Sequence, residues 1–185
     1  VSLSTSGTGT EGTDYSNISD ITISAGATTG TATFTPTDDS IYEGNETGIV
    51  AISGVSGADA AEDGTQSVTI TITDNETTAP KVTLTSSASS IAENSGSSIT
   101  LTATLSVATT ADVTVGISKD SGAATEGTDF SNLSNITVTA GNTTGTTSFT
   151  PTDDNIYDAT SNETAVIIID SVSGGSATED GSQSV

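Results

Sequence analysis

The chain repeats itself, and that repetition limits its fold more than any other feature. Residues 10–42, TEGTDYSNISDITISAGATTGTATFTPTDDSIY, return at 125–157 as TEGTDFSNLSNITVTAGNTTGTTSFTPTDDNIY, an offset of 115. After a two-residue insertion, NETGIVAISGVSG at 45–57 pairs with NETAVIIIDSVSG at 162–174, and AEDGTQSV at 61–68 with TEDGSQSV at 178–185, now at an offset of 117. Self-similarity over this length means that one structural plan is used twice in line. All six aromatics keep register (Tyr15 with Phe130, Phe34 with Phe149, Tyr42 with Tyr157), and so do Pro36 and Pro151. Such residues are expected at core and corner positions.

Pro80, in ETTAPK, has no counterpart and marks a junction. The expected organisation is a first repeat over 1–76, a short linker over 77–80 and a second repeat over 81–185. The first copy has no counterparts of roughly Lys81 to Asp112, and the second stops eight residues before the counterpart of Glu76. The chain therefore reads as a window on a longer tandem array, its first repeat lacking the N-terminal strands and its second the last strand. The rival explanation is completion by strands from another chain.

Apolar residues make up 31% and aromatics 3%, below the roughly 45–50% apolar share of ordinary domains. With a net charge of −22, such a composition is often disordered. The pattern points elsewhere, because Val, Ile and Thr alternate with polar residues in short stretches separated by Gly, Asn, Asp and Ser. In the second copy strands are expected at 82–90 (A), 97–106 (B), 112–119 (C), 135–139 (D), 145–151 (E), 163–171 (F) and from about 183 (G). In the first copy QSVTITITDNE is strand G, with Val68, Ile70 and Ile72 on one face. Seven strands at this spacing predict an all-β fold of antiparallel, Greek-key, immunoglobulin-like sandwiches in tandem.

The 24 acidic residues face only Lys81 and Lys119, so phosphate backbones and anionic lipid are repelled and cations are the natural partners. Without Cys, His or Met, thiol chemistry, imidazole catalysis and Cys/His metal sites are excluded, and any metal must be held by oxygen. No apolar run reaches the roughly 18–20 residues that cross a bilayer, so a soluble piece without membrane insertion is expected.

Strand parity gathers the acids. If successive strands are antiparallel, A, C, E and G finish at one pole. In the second copy Glu93 follows A, Asp129 follows C, Asp153, Asp154 and Asp158 follow E, and Glu163 lies just beyond. In the first copy the set is Asp14, Asp38, Asp39, Glu43 and Glu46, joined after G by Asp74 and Glu76. Like charges at about 4–6 Å oppose one another's ionisation, and a bound cation relieves them. Carboxylates from several loops suit Ca²⁺, which takes six to eight oxygens in flexible geometry, better than Mg²⁺. The bland alternative is a solvated acidic face. Asp59, Glu62, Asp63, Glu179 and Asp180 fall in the F to G loops at the opposite pole.

EGTDY, AGATTGTATFTPTDDSIYEGNET and SVTITITDNE together resemble the Calx-β domain, the module of sodium/calcium exchangers that recurs in large bacterial surface proteins. The most specific part is the Asp-Asp-x-x-Tyr-Glu-x-x-Glu turn, matched by Asp38, Asp39, Tyr42, Glu43 and Glu46. The resemblance implies an antiparallel sandwich holding Ca²⁺ where the chain leaves. Its ligands would be Glu93; Asp14 and Asp129 of the GTDY-type turns; the double-Asp turns; and Asp74, Asn75 and Glu76. The second copy departs, with Asp158 for Glu and two extra residues before Glu163, and Asn75 stands for a usual acid.

Paired carboxylates could serve a glycosidase, but no Trp platform for a sugar is present, and no His activates a Ser or Thr nucleophile. The glycines of GTGTEG and AGATTG lack a phosphate-loop context, and the seven Asn-x-Ser/Thr sequons follow from composition. The expectation is a non-enzymatic, calcium-binding structural repeat of a large secreted or cell-surface protein, a bacterial adhesin, stiffened by Ca²⁺ against neighbouring repeats. Its alternatives are a calcium-sensing module and a carbohydrate- or protein-binding module. A cell-surface or matrix ligand fits the adhesin reading; nucleic acid does not.

Overall fold

The computed structural model describes residues 1–57, 59–154 and 162–185. It is all-β, without an α-helix among the described residues, and divides into two compact units, Val1–Thr77 and Thr78–Val185. The first holds β1 (Ser2–Gly7), β2 (Ile41–Tyr42), β3 (Glu46–Gly54) and β4 (Ser67–Ile72). The second holds β5 (Lys81–Ser86), a 3₁₀ turn (Glu93–Ser95), β6 (Ile99–Leu105), β7 (Ala108–Thr109), β8 (Val113–Ser121), β9 (Ile136–Val138), β10 (Thr144–Phe149), β11 (Val166–Ser173) and β12 (Thr178–Glu179).

In the second unit the chain builds two sheets, β10-β6-β5-β12 and β11-β8-β9, antiparallel except for the β12–β5 pair. It changes sheet between β6 and β8, between β9 and β10, and between β10 and β11, the Greek-key habit of β-sandwiches. Alternation supplies the reason. On β6, Ile99, Leu101, Ala103 and Leu105 are buried while the intervening threonines are not, as a period of two requires. They share one cluster with Val82 and Leu84 of β5, Val113, Val115 and Ile117 of β8, Ile136 and Val138 of β9, and Ile167 and Ile169 of β11.

The expected strands A to F form as β5, β6, β8, β9, β10 and β11. Strand A stops at Ser86, short of 90, where the Ser86 hydroxyl donates to the Ala88 carbonyl. At the position of G, Ser184 bridges Ile168, and Ile167 and Val185 exchange both backbone hydrogen bonds (2.8 and 2.9 Å).

The described part of the first unit has one three-stranded sheet, β1-β3-β4, with β3 central. Residues 81–112, which in the second unit supply β5 and β6 of the facing sheet, have no counterpart in residues 1–77. The consequence is visible in matched residues: Val138 of β9 is fully buried, whereas Ile23, 115 positions earlier, is 47% exposed. Among the described hydrophobic residues of this unit only Tyr15 is buried, at 1% exposure. It stacks on Phe34 with ring centroids 4.4 Å apart, as Phe130 stacks on Phe149 at 4.7 Å.

One backbone feature is shared by both units. Gly7 and Gly122 adopt φ of +120° and +103°, and a Cβ at either would meet the carbonyl oxygen of Thr47 or Thr164 at 2.1 or 2.0 Å. Only glycine permits that turn out of the strand, and each turn leads directly into a TEGTD loop.

Core truncation should discriminate between the buried and open faces. Ile136→Ala is expected to destabilise the second unit by about 2–5 kcal/mol, and Val68→Thr, at a residue 62% exposed, to change stability by less than about 0.5 kcal/mol. Urea unfolding of the two variants measures both.

Candidate metal centre

The site grows from the turn Thr10–Asp14. Asp14 N–H donates to the Thr10 carbonyl at 2.9 Å while the Asp14 carboxylate accepts from Thr10 N–H, closing the turn on itself. Glu11 pins the following chain: its Oε1 accepts from Ile18 N–H at 2.6 Å and its Oε2 from the Thr5 hydroxyl at 2.7 Å. These donors hold the Glu11 carboxyl below its ordinary pKa, the Ile18 amide first and the Thr5 hydroxyl second. Ser16 N–H donates to Thr35, and Thr37 N–H to Asp14, both at 2.9 Å. The TPTDD segment is thereby sewn beside Asp14.

The second unit repeats the capped turn, the forward tie and the backbone clamp. Asp129 caps Thr125 N–H at 2.6 Å, Glu126 accepts from Leu133 N–H at 2.6 Å, and Thr152 N–H donates to the Asp129 carbonyl at 2.9 Å. Glu11 and Glu126 are absent from the expected ligand set. Their signal in the sequence is identity within TEGTD at an offset of 115, which does not separate a turn-holding acid from a ligand.

In the first unit the strand ends complete the site. Glu46 opens β3 opposite Ile72, so the chain leaving β4 passes beside it. Asp74 then caps the next turn: one carboxylate oxygen accepts from Glu43 and Gly44 N–H at 3.0 and 2.7 Å, and the other from Glu76 N–H at 3.0 Å. Oxygens of Asp14, Glu43 and Glu46 all lie within 4.8 Å of one another. Asp39, Asp74, Asn75 and Glu76 line the same cleft. Asp14 is only 8% exposed, so it forms the floor.

The first 77 residues contain no lysine or arginine, and the amino group of Val1 donates to the Ile21 carbonyl. The cleft is therefore frustrated. Glu43 is pushed up to about 7 by burial first, then by the charges of Asp14, Asp39, Glu46 and Asp74. Glu46 is also raised, by burial and then by the charge of Asp14 and a hydrogen bond with it. Glu76 is raised by burial, by its hydrogen bond and charge interaction with Asp74, and by the charge of Asp38. Asp74 goes the other way. Burial opposes its ionisation, but its amide donors outweigh that and lower its pKa.

These residues fit a calcium ion. Oxygens bound to one Ca²⁺ at about 2.3–2.6 Å lie within about 5.2 Å of each other, which the Asp14, Glu43 and Glu46 oxygens satisfy. Carboxylates and an Asn carbonyl are the hard donors that this ion takes. Asp39 accepts from Ile41 N–H at 2.8 Å, and Asp38 acts on the cleft through its charge on Glu76.

The second unit differs. Glu93, Asp129 and Glu163 line one groove, and Asp153 and Asp154 are exposed beyond Pro151. Asp158 lies outside the described residues. No three carboxylates meet within bonding range of one ion among the described residues of that unit. The F to G acids have local duties: Glu62 accepts from Gln66 N–H and Glu179 from Gln183 N–H, while the two glutamine amides return to the Asp63 and Asp180 carbonyls. Among the described residues no helix is long and apolar enough to cross a membrane.

The family model of the Calx-beta domain matches residues 1–76 and again residues 75–183. No curated protein matches the chain.

Because the folded state raises Glu43 to about 7 and Glu46 above its ordinary value, the cost of ionising them is absent below about pH 4.5 and grows as pH rises above it, for Glu43 until about pH 7. Asp74, lowered, contributes stability that is lost only below its ordinary value of 3.8. In chelator, the melting temperature of the first unit is thus expected to fall from pH 5 to pH 8, and Glu43→Gln to flatten that slope. Thermal unfolding of both proteins across this range checks it.

Proposed function

Because this chain belongs to the Calx-beta domain family, we propose that it is a calcium-binding structural repeat of a large secreted or cell-surface protein of the adhesin kind, in which Ca²⁺ stiffens the array of domains. The observation that carries the reading is the meeting of Asp14, Glu43 and Glu46 in a cleft whose wall includes Asp39, Asp74 and Glu76, with no basic residue in the first 77 positions. An ion held there would tie three separate stretches of chain: the turn after β1, the segment before β3 and the exit from β4. Glu76 is followed at once by Thr77 and Thr78, the limit between the two units. Metal at the exit would restrict the chain where it passes into the next repeat.

The same arrangement speaks against catalysis. Its carboxylates gather around a small cleft with no aromatic platform, and each of the two buried aromatics is stacked on another ring. Millimolar extracellular calcium would suffice, since modules working outside cells bind at about 10⁻⁴–10⁻³ M. Binding to the folded state alone adds stability by mass action.

Calorimetric titration of the full chain with CaCl₂ is expected to give saturable heat. Glu46→Gln and Asp14→Asn should each weaken binding at least about tenfold, the loss of one charged ligand out of about six to eight. Chelator should lower the melting temperature of the first unit in the wild type and not in these variants. Equal heats in all three proteins would remove the assignment, and small-angle scattering with and without calcium would test the stiffening separately.

A further inference from the structure

The two units share a turn that the acidic cleft does not use. Of the aspartates only Asp63 and Asp180 precede a glycine, and no asparagine does. Both stand in an EDG turn, matched at an offset of 117, and in both turns the Asp and the Gly are exposed. Gly64 and Gly181 take φ of +72° and +69°, a conformation that strains any side chain. Glu62 accepts from Gln66 N–H at 2.9 Å, and the Gln66 amide donates to the Asp63 carbonyl at 2.7 Å. Glu179, Gln183 and Asp180 repeat the arrangement. Two groups in each turn are left over. Among the described residues no hydrogen bond engages the carboxylates of Asp63 and Asp180 or the N–H groups of Gly64 and Gly181, whereas amide donors hold Asp14, Asp74 and Asp129.

These groups are the reactants of one reaction. The glycine nitrogen attacks Cγ of the preceding aspartic acid; the N–Cγ bond forms, the Cγ–OH bond breaks, and the hydroxyl leaves with the amide proton as water. The product is a succinimide ring, and water then adds at one of its two carbonyls. Addition at Cγ restores aspartate. Addition at the main-chain carbonyl leaves the chain running through Cγ, an isoaspartyl linkage of unchanged mass. With no Cβ on the glycine, nothing on that residue shields its nitrogen. The glutamine donor favours both steps. The Asp63 carbonyl belongs to the peptide unit whose nitrogen attacks, so a donor on its oxygen stabilises the negative charge left as the N–H proton departs. In the ring the same oxygen marks the carbonyl whose opening gives isoaspartate, and a donor there makes it the more electrophilic of the two.

We propose that the two EDG turns are self-modifying sites, where Asp63–Gly64 and Asp180–Gly181 isomerise to isoaspartyl linkages with the Gln66 and Gln183 amides promoting the change. Only water takes part, so the inference stands apart from the calcium reading. At the second site the change reaches a sheet. Thr178 and Glu179 pair with β5, and Asp180 N–H donates to the Val82 carbonyl at 2.9 Å, so one more carbon in the main chain at Asp180 lengthens the chain just beyond that pairing.

The test incubates the full chain and its Gln66→Leu and Gln183→Leu variants at neutral pH for several weeks, and locates isoaspartate by peptide mapping with electron-transfer fragmentation. In the wild type isoaspartate is expected at positions 63 and 180 and not at Asp170, whose neighbour Ser171 carries a side chain. In Gln66→Leu the rate at Asp63 should fall about fivefold, the rate equivalent of one hydrogen bond, while Asp180 in the same molecule keeps its wild-type rate as an internal control. Gln183→Leu should give the reverse pattern. Either site staying aspartyl in the wild type would overturn the proposal. So would an unchanged or faster rate at the site whose glutamine is removed, because the donor would then have no part in the reaction.

Discussion

The turn Thr10–Asp14 and its three anchors are what the rest of the first unit depends on. Its own hydrogen bonds close it, Glu11 ties it forward to Ile18 and back to Thr5, and the backbone of Asp14 and Ser16 clamps Thr35–Thr37. Beneath it Tyr15 stacks on Phe34, which fixes the same two segments by apolar contact. A chain with 3% aromatics thus places its few rings where one pair secures two loops. The second unit keeps the ring stack, the capped turn and the forward tie with Phe130, Phe149, Asp129 and Glu126, whereas the counterpart of Thr5 is Asp120, which has no hydroxyl to donate. Because the scaffold serves turn geometry first, Asp14 and Asp129 have the same backbone role, whatever else their carboxylates do.

On that scaffold the acidic cleft is a consequence of topology and a cost to the apo fold. Antiparallel order brings the end of β4 beside the start of β3, and the chain places an acid at each: Glu46 at one, Asp74 and Glu76 at the other. Asp74 is compensated by three amide donors, but Glu43 and Glu46 receive no comparable help and are driven toward protonation. A divalent ion would supply what amides do not. The opposing shifts within one cleft separate an acid that amide donors already satisfy, Asp74, from two that they leave frustrated, Glu43 and Glu46.

Strand positions were largely legible in the sequence, because Thr/Val/Ile alternation on β5, β6 and β8 encodes both the strand and its buried face. The alternation around Ile21–Phe34 was not enough. Nearly the same residues form β9 and β10 in the second unit, where β9 pairs with β8 and β10 with β6, but no strand in the first. Strand formation there is a property of the partner as much as of the segment. For the site, parity grouped Asp14, Glu43, Glu46, Asp74 and Glu76, which the structure gathers around one cleft. Parity cannot see hydrogen bonds, and so it does not tell that Asp39 caps Ile41 or that Glu11 latches a turn. The loop with Asp158, two residues longer than its counterpart, lies outside the described residues.

Strand completion and acid placement are linked by covalent continuity. The residues that finish the β4 ladder, Thr69 to Ile72, are followed immediately by Asp74 and Glu76, so any force that seats the strand also delivers these acids to the cleft. The reverse holds as well. On the calcium reading, an ion gripping Asp74 and Glu76 would pull the strand into register, and each process would favour the other by the same free energy. On that reading a repeat of this design would need no separate device to make folding sense the ion, because the last strand and the acids that follow it are one piece of chain.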